Sequence, residues 1–281
     1  MESDLGLCYR YNLMVGIQTQ PVGSLLRKWR ERRRLSQLDL ACEAEISTRH
    51  LSFLETGRSL PSREMVLRLA EQLDVPLRER NALLVAAGYA PAFPERPLDD
   101  PALRSARKAV DLVLAGHEPY PALAIDRHWT LIASNNAVPP MLAGADPSLL
   151  RPPVNALRLS LHPAGLAPRI ANLAEWRSHL LARLRRQIEV TADPVLEELL
   201  SELCGYPAPD ECAGVGNGDA GEYAGVAVPF RIVTEQGVLS FISTTTIFGT
   251  PVDVTLSELA LESFFPADAA TSRALRGLFG G

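Results

Sequence analysis

Ser36-Gln37-Leu38-Asp39-Leu40-Ala41, then Ile46-Ser47-Thr48-Arg49-His50-Leu51-Ser52-Phe53-Leu54-Glu55-Thr56-Gly57, then Pro61, reads as two helices joined by a short turn. Ser36 and Ser47 are N-cap residues, and Gly57 is a stop signal. Leu40, Ala41, Ile46, Leu51 and Leu54 supply the inward face that such a pair must bury. In this geometry the first helix crosses the DNA backbone and the second presents its N-terminal outward residues to the major groove. Ser47, Thr48, Arg49, His50, Ser52 and Phe53 are then the candidate DNA-facing residues. Arg49 is the strongest of them, because a guanidinium pairs bidentately with guanine O6 and N7. Gln37 opens the first helix, where its amide and the helix N-terminus can meet a phosphate, and Arg33, Arg34 and Arg58 add charge alongside.

Working outward, Leu25, Leu26 and Trp29 mark a preceding helix that ends near Arg34. Pro61 and Ser62 open a fourth with Val66, Leu69, Ala70 and Leu73 on one face, and Pro76 opens a fifth that stops at Gly88. Residues 23–88 therefore form a five-helix bundle, preceded by an extension over 1–22. Between Leu25 and Arg63 nine bases face five acids, a surplus of four in a chain of 281 residues whose formal charge is -5. A basic block on an acidic remainder is the asymmetry expected when one domain meets phosphate and the other does not.

Pro91, Pro94, Pro97 and Pro101 make 89–101 a linker, and 102–281 a second domain. There, a helix over Ala102–Ala115 precedes short strands at Ala122–Asp126 and Thr130–Ser134. Helices over Ala171–Val190 and Pro194–Leu203 come next, then a flexible loop over Pro207–Gly225. Val226–Thr234 and Val238–Phe248 are β-branched and meet at Glu235-Gln236-Gly237, a hairpin. Thr255 and Glu258 match a capping box, which predicts a helix running to Phe264. The fold class is multidomain, α followed by α+β: a helical bundle, then an antiparallel sheet with packed helices.

The first block resembles the phage-repressor-like helix-turn-helix family of the xenobiotic response element type, over Gly23 to about Gly88. That resemblance implies DNA contact by Gln37, Thr48, Arg49, Ser52 and Phe53, and a turn-stabilising role for Glu55. Pro121–Trp129, Ser134-Asn135-Asn136-Ala137, Asn155-Ala156-Leu157-Arg158-Leu159, Phe248–Leu256 and Glu262–Asp268 resemble the MmyB-like (MltR-type) regulators over about Ala102–Leu278. This second resemblance implies a PAS-like ligand-binding domain and an apolar, fatty-acid-like effector. A pocket for such a ligand needs apolar walls and a few polar anchors. The candidates are Asn135 and Arg158 as anchors, with Trp176, Phe230, Phe241 and Phe248 as walls.

Other chemistry finds no support. Gly216–Gly221 fits G-x-G-x-x-G but lacks the strand before and the helix after that a nucleotide site requires. His50, His117, His128, His162 and His179 are scattered without ligand spacing, and Cys8, Cys42, Cys204 and Cys212 form no C-x-x-C pair and read as reduced thiols. No enzyme, metal or cofactor is expected, although a cofactor-holding redox sensor using His128 or His162, and a ligand-free dimerisation platform, remain rivals. The chain shows neither a secretory signal nor a membrane-length apolar run, so a cytoplasmic protein is expected. One recognition helix reads too few base pairs for useful selectivity, so the expected partner is operator DNA bound by a homodimer.

Overall fold

The computed structural model describes residues 20–207, 227–249, 251 and 253–279. Most of the expected extension over 1–22, most of the expected loop over Pro207–Gly225, Gly216–Gly221, Cys8 and Cys212 lie outside the described residues. The chain divides into two compact units, Met1–Pro94 and Glu95–Gly281. The division falls inside the Pro-rich stretch, whose ends are not free. Asn81 accepts from the backbone of Ala92 and Phe93 and donates to the Phe93 carbonyl, within the first unit. Arg96 pairs with the fully buried carboxylate of Asp253, and its carbonyl accepts from Thr255 within the second.

The first unit contains α1 (Val22–Arg32), α2 (Gln37–Glu43), α3 (Thr48–Glu55), α4 (Arg63–Gln72) and α5 (Leu77–Ala86). Serine caps start three of them. Ser36 Oγ accepts from Asp39 N while Asp39 accepts from Ser36 N, a reciprocal capping box. Ser47 and Ser62 accept from His50 N and Met65 N. Leu26, Leu40, Leu51, Leu54, Leu69 and Leu73 are fully buried between the helices. Helix α1 lies so close to α3 that a Cβ added to Gly23 would stand 2.2 Å from the Leu54 carbonyl oxygen. Only glycine fits there.

The second unit is built on a five-stranded antiparallel sheet of order β2-β1-β5-β4-β3, from β1 (Ala122–Ile125), β2 (Leu131–Ser134), β3 (Phe230–Thr234), β4 (Gly237–Ile247) and β5 (Ala260–Pro266). Its helices are α6 (Arg104–Gly116), α7 (Ala156–Leu161), α8 (Leu173–Thr191), α9 (Pro194–Cys204), the one-turn α10 (Val254–Ser257) and α11 (Ala269–Phe279). Side-chain alternation along the strands sorts two cores. On one face Trp176, Leu180 and Leu184 of α8 join Leu157, Phe230 and Phe241 in the larger cluster. On the other, Val110 and Leu114 of α6 meet Ala122, Ala124 and Leu261.

The hairpin at Glu235–Gly237 forms, with Gly237 at φ 105 where a side chain would be strained. The helix expected from Thr255 to Phe264 does not. Asp253 takes the cap by accepting from Thr255 N, α10 ends at Ser257, and the chain continues as β5. The capping-box spacing is real but is overridden by pairing on both edges of β5, with β1 and with β4. A strand covered on both faces also lacks the polar/apolar alternation that would reveal it.

Candidate nucleic-acid interface and effector cavity

Helix α3 buries Leu51, Leu54 and Glu55 and leaves Ser47, Thr48 and Arg49 exposed, with His50, Ser52 and Phe53 half-buried. Phe53 carries guanidinium groups on its ring, Arg49 at 5.3 Å and Arg58 at 5.8 Å from the centroid. Cation–π contact holds these long side chains over one apolar plate, which lowers the entropy each would lose on meeting DNA. Beneath the turn, Arg30 donates to both oxygens of the buried Glu55, at 2.7 and 2.9 Å, and to the Leu35 carbonyl. Gln37 donates its amide to Glu55 at 2.8 Å. The side chain that opens α2 is therefore fixed by the same carboxylate that anchors α3 to α1.

In the second unit a cavity opens between the sheet, α7 and α8. It offers about 110 Å³ to the centre of a water-sized sphere, against the 10–15 Å³ or so that one water needs. Leu123 and Ile125 of β1, Leu157 and Leu159 of α7, Trp176 and Leu180 of α8, Phe230 and Phe264 contribute walls. Among the described residues four polar ones line it: Ser160, Arg183, Ser243 and Glu262. Ser160 accepts from the Trp176 indole at 3.0 Å. Arg183 forms a two-pronged ion pair with Glu262, one prong at 3.1 Å, donates to Thr245 at 2.7 Å, and lies 4.6 Å above the Trp129 ring. Beside the cavity, burial pushes His179 below its ordinary range, and the cationic Arg183 and Arg186 push the same way.

A model of the MmyB-like transcription regulator ligand binding domain matches residues 106–278, and one of the helix-turn-helix domain matches 21–83. The chain belongs to the MmyB-like transcription regulators. It is also similar, at 33% identity over 123 residues, to a protein of Methanoculleus marisnigri (strain ATCC 35101 / DSM 1498 / JR1) provisionally named an HTH-type transcriptional regulatory protein. That match covers 42% of this chain and 39% of the relative, so the chain spans well under half of that protein's length.

In this MmyB-like regulator the residues expected from sequence to make a ligand site divide sharply. Trp176 and Phe230 line the cavity. Phe241 lies in the adjoining core without reaching the opening, and Phe248 packs with the α6 cluster on the opposite side of the sheet. Asn135 clamps backbone, accepting from Ala122 N and donating to the Leu114 and Tyr120 carbonyls. Arg158 pairs with Glu202 across α7 and α9 at 2.7 Å, away from the cavity lining. Neither of the expected anchors, Arg158 and Asn135, lies on the cavity wall, where the charged residues are Arg183 and Glu262. Glu262, which enters the sequence reading only within the family resemblance, reaches the wall because its segment is the strand β5 and not the expected helix.

Among the DNA-side candidates, Arg33 is turned inward to cap α4, donating to the Leu73 and Asp74 carbonyls at 2.8 Å each. Arg34 is exposed, at a left-handed φ of 58. His128 is not simply solvated in its turn, since Nε2 contacts Asp193 at 2.9 Å. Burial works against ionisation of Asp193, but the hydrogen bond from His128 and the nearby Arg127 outweigh it and hold that carboxyl below its ordinary range. Neither His128 nor His162 lines the cavity. Among the described residues no His, Cys, Asp and Glu cluster could hold a metal, and no helix is long and apolar enough to cross a membrane.

Proposed function

We propose that this regulator binds operator DNA through the outer face of α3 as a homodimer, and that a small apolar effector of acyl-chain type occupies the cavity of its second, PAS-like unit and shifts DNA affinity. The observation that carries the DNA half is the cluster of Arg49 and Phe53 on the outer face of α3 with Arg58 just past its end, on a helix anchored by the Glu55 network. For the effector half it is a cavity whose walls are apolar except at four residues. Arg49, Thr48, Ser52 and Phe53 read bases, while Ser47, His50, Arg34, Arg58 and the Gln37 end of α2 position the backbone. Two-fold pairing supplies the second half-site. The effector acts only as far as it binds one arrangement of the DNA-binding domains better than another, typically a coupling of about 1–3 kcal/mol.

Fluorescence anisotropy on a duplex selected from randomised sequence tests this. With about six phosphate contacts, affinity falls by orders of magnitude between roughly 50 and 200 mM salt. Arg49→Ala costs about 1–3 kcal/mol on the selected site and much less on random DNA. Equal weakening on both would remove the base-reading role. A footprint without inverted symmetry would remove the dimer.

A further inference from the structure

We infer that the effector of this cavity ends in an uncharged polar group, such as an alcohol, amide or ester, and not in a free carboxylate. The inference rests on the reading of the cavity as an effector site and adds the chemistry of the ligand's polar end. Among the described residues Arg183 is the only cation on the wall, and it is already paired. Its two terminal nitrogens donate to Glu262 and Thr245, and the Trp129 ring covers one face of the guanidinium. Glu262 is the buried member of the pair, with a side chain 6% exposed, and it lines the same opening. A carboxylate arriving there would meet a carboxylate, and it would gain a cation only by separating a hydrogen-bonded pair.

Separating a pair buried to this degree leaves one charge uncompensated, which costs more than the new contact returns. A neutral head avoids that cost and still finds partners. Ser243, half-buried on β4 beside Phe264, lines the cavity as a hydroxyl that can donate and accept. Ser160 spends its acceptor role on Trp176 and keeps a proton to donate. The Glu262 carboxylate accepts twice from Arg183 and once from the Thr245 hydroxyl, which leaves one of its roughly four acceptor sites for a hydroxyl or amide donor. Among the described residues the wall thus offers acceptors and hydroxyl donors but no unpaired cation, which is the complement of a neutral donor–acceptor head on an apolar chain.

Calorimetric titration of the full chain with decanol, decanamide and decanoate at neutral pH separates the possibilities. Decanol and decanamide are expected to bind at least about tenfold more tightly than decanoate, the ratio that corresponds to about 1.4 kcal/mol. Glu262→Gln keeps the shape and leaves Arg183 without its carboxylate, and is expected to raise decanoate affinity at least about tenfold and so narrow the gap to decanol. Decanoate binding as tightly as decanol, or more tightly, in the unmodified protein overturns the inference and leaves the cavity standing as an effector site. Failure of all three to bind removes the cavity reading itself. The ranking in the unmodified protein decides the matter even if circular dichroism shows Glu262→Gln to be unfolded.

Discussion

Each unit has an arginine–glutamate pair beside its candidate functional surface, and the surroundings of the two pairs differ. Arg30 and Glu55 are enclosed on all sides: three guanidinium nitrogens and both carboxylate oxygens are engaged, with Gln37 and the Leu35 carbonyl completing the set. Arg183 and Glu262 have comparable contacts to each other and to Thr245, but one side of the pair is the wall of a cavity. The same chemistry fixes a turn where it is sealed and forms part of a cavity wall where it is left open. Its energetic meaning follows from what surrounds it, since a buried pair as such adds little net stability.

The sharpest way to break this comparison is to remove one member of the sealed pair. Glu55→Ala leaves the Arg30 charge buried without a partner and frees Gln37, and is expected to cost about 3–5 kcal/mol of first-unit stability. Urea unfolding followed by the Trp29 signal would show it, because Trp29 is buried on α1 in that unit. A loss under about 1 kcal/mol would mean that water reaches the pair and that it is no more sealed than its counterpart.

A smaller effect tests whether the joint between α1 and α3 is as tight as the sealed pair implies. Gly23→Ala places a methyl against the Leu54 and Glu55 carbonyls, where the nearest oxygen is 2.2 Å from the ideal Cβ. Overpacking of this kind costs about 1–3 kcal/mol. The loss should appear in the unfolding of the first unit and leave ligand affinity in the second unchanged. A neutral result would show that α1 can slide on α3.

These two joints also show why one unit was legible in the sequence and the other only partly so. Helices α2, α3 and α4 announce themselves by local chemistry: Ser36, Ser47 and Ser62 each cap the helix that immediately follows, and Gly57 closes α3 at φ 73. Even there the partner of Glu55 was missed, because Arg30 lies a whole helix away and looks like any base in a basic run. In the second unit the deciding element is β5, whose strand character comes from neighbours more than a hundred residues upstream in β1 and, beyond the connection that holds α10, in β4. Local spacing at Thr255–Glu258 pointed to a helix. With β5 misread, Glu262 could not be placed opposite Arg183, and Arg158 stood in as the nearest plausible cation.

The mildest prediction concerns that stand-in. Arg158 and Glu202 are a surface pair with side chains 45% and 36% exposed, so solvent screens most of what their contact could contribute. Their hydrogen bond raises the Arg158 guanidinium and lowers the Glu202 carboxyl from their ordinary ranges. A carboxyl lowered on folding contributes stability that is present above its unfolded pKa and lost as pH falls through the folded one. Arg158→Leu should therefore cost only about 0–1 kcal/mol near neutral pH and flatten the acid limb of the stability profile. Glu202 keeps a second partner, since Tyr206 donates to it at 2.5 Å; burial and that bond push the phenol up to about 12, so it stays a donor throughout the acid range. Decanol affinity should not change, because Arg158 lies outside the cavity lining. If affinity falls with Arg158→Leu while the fold is intact, the cavity extends past α7 to this pair, and the contrast between a sealed pair and a single open one fails.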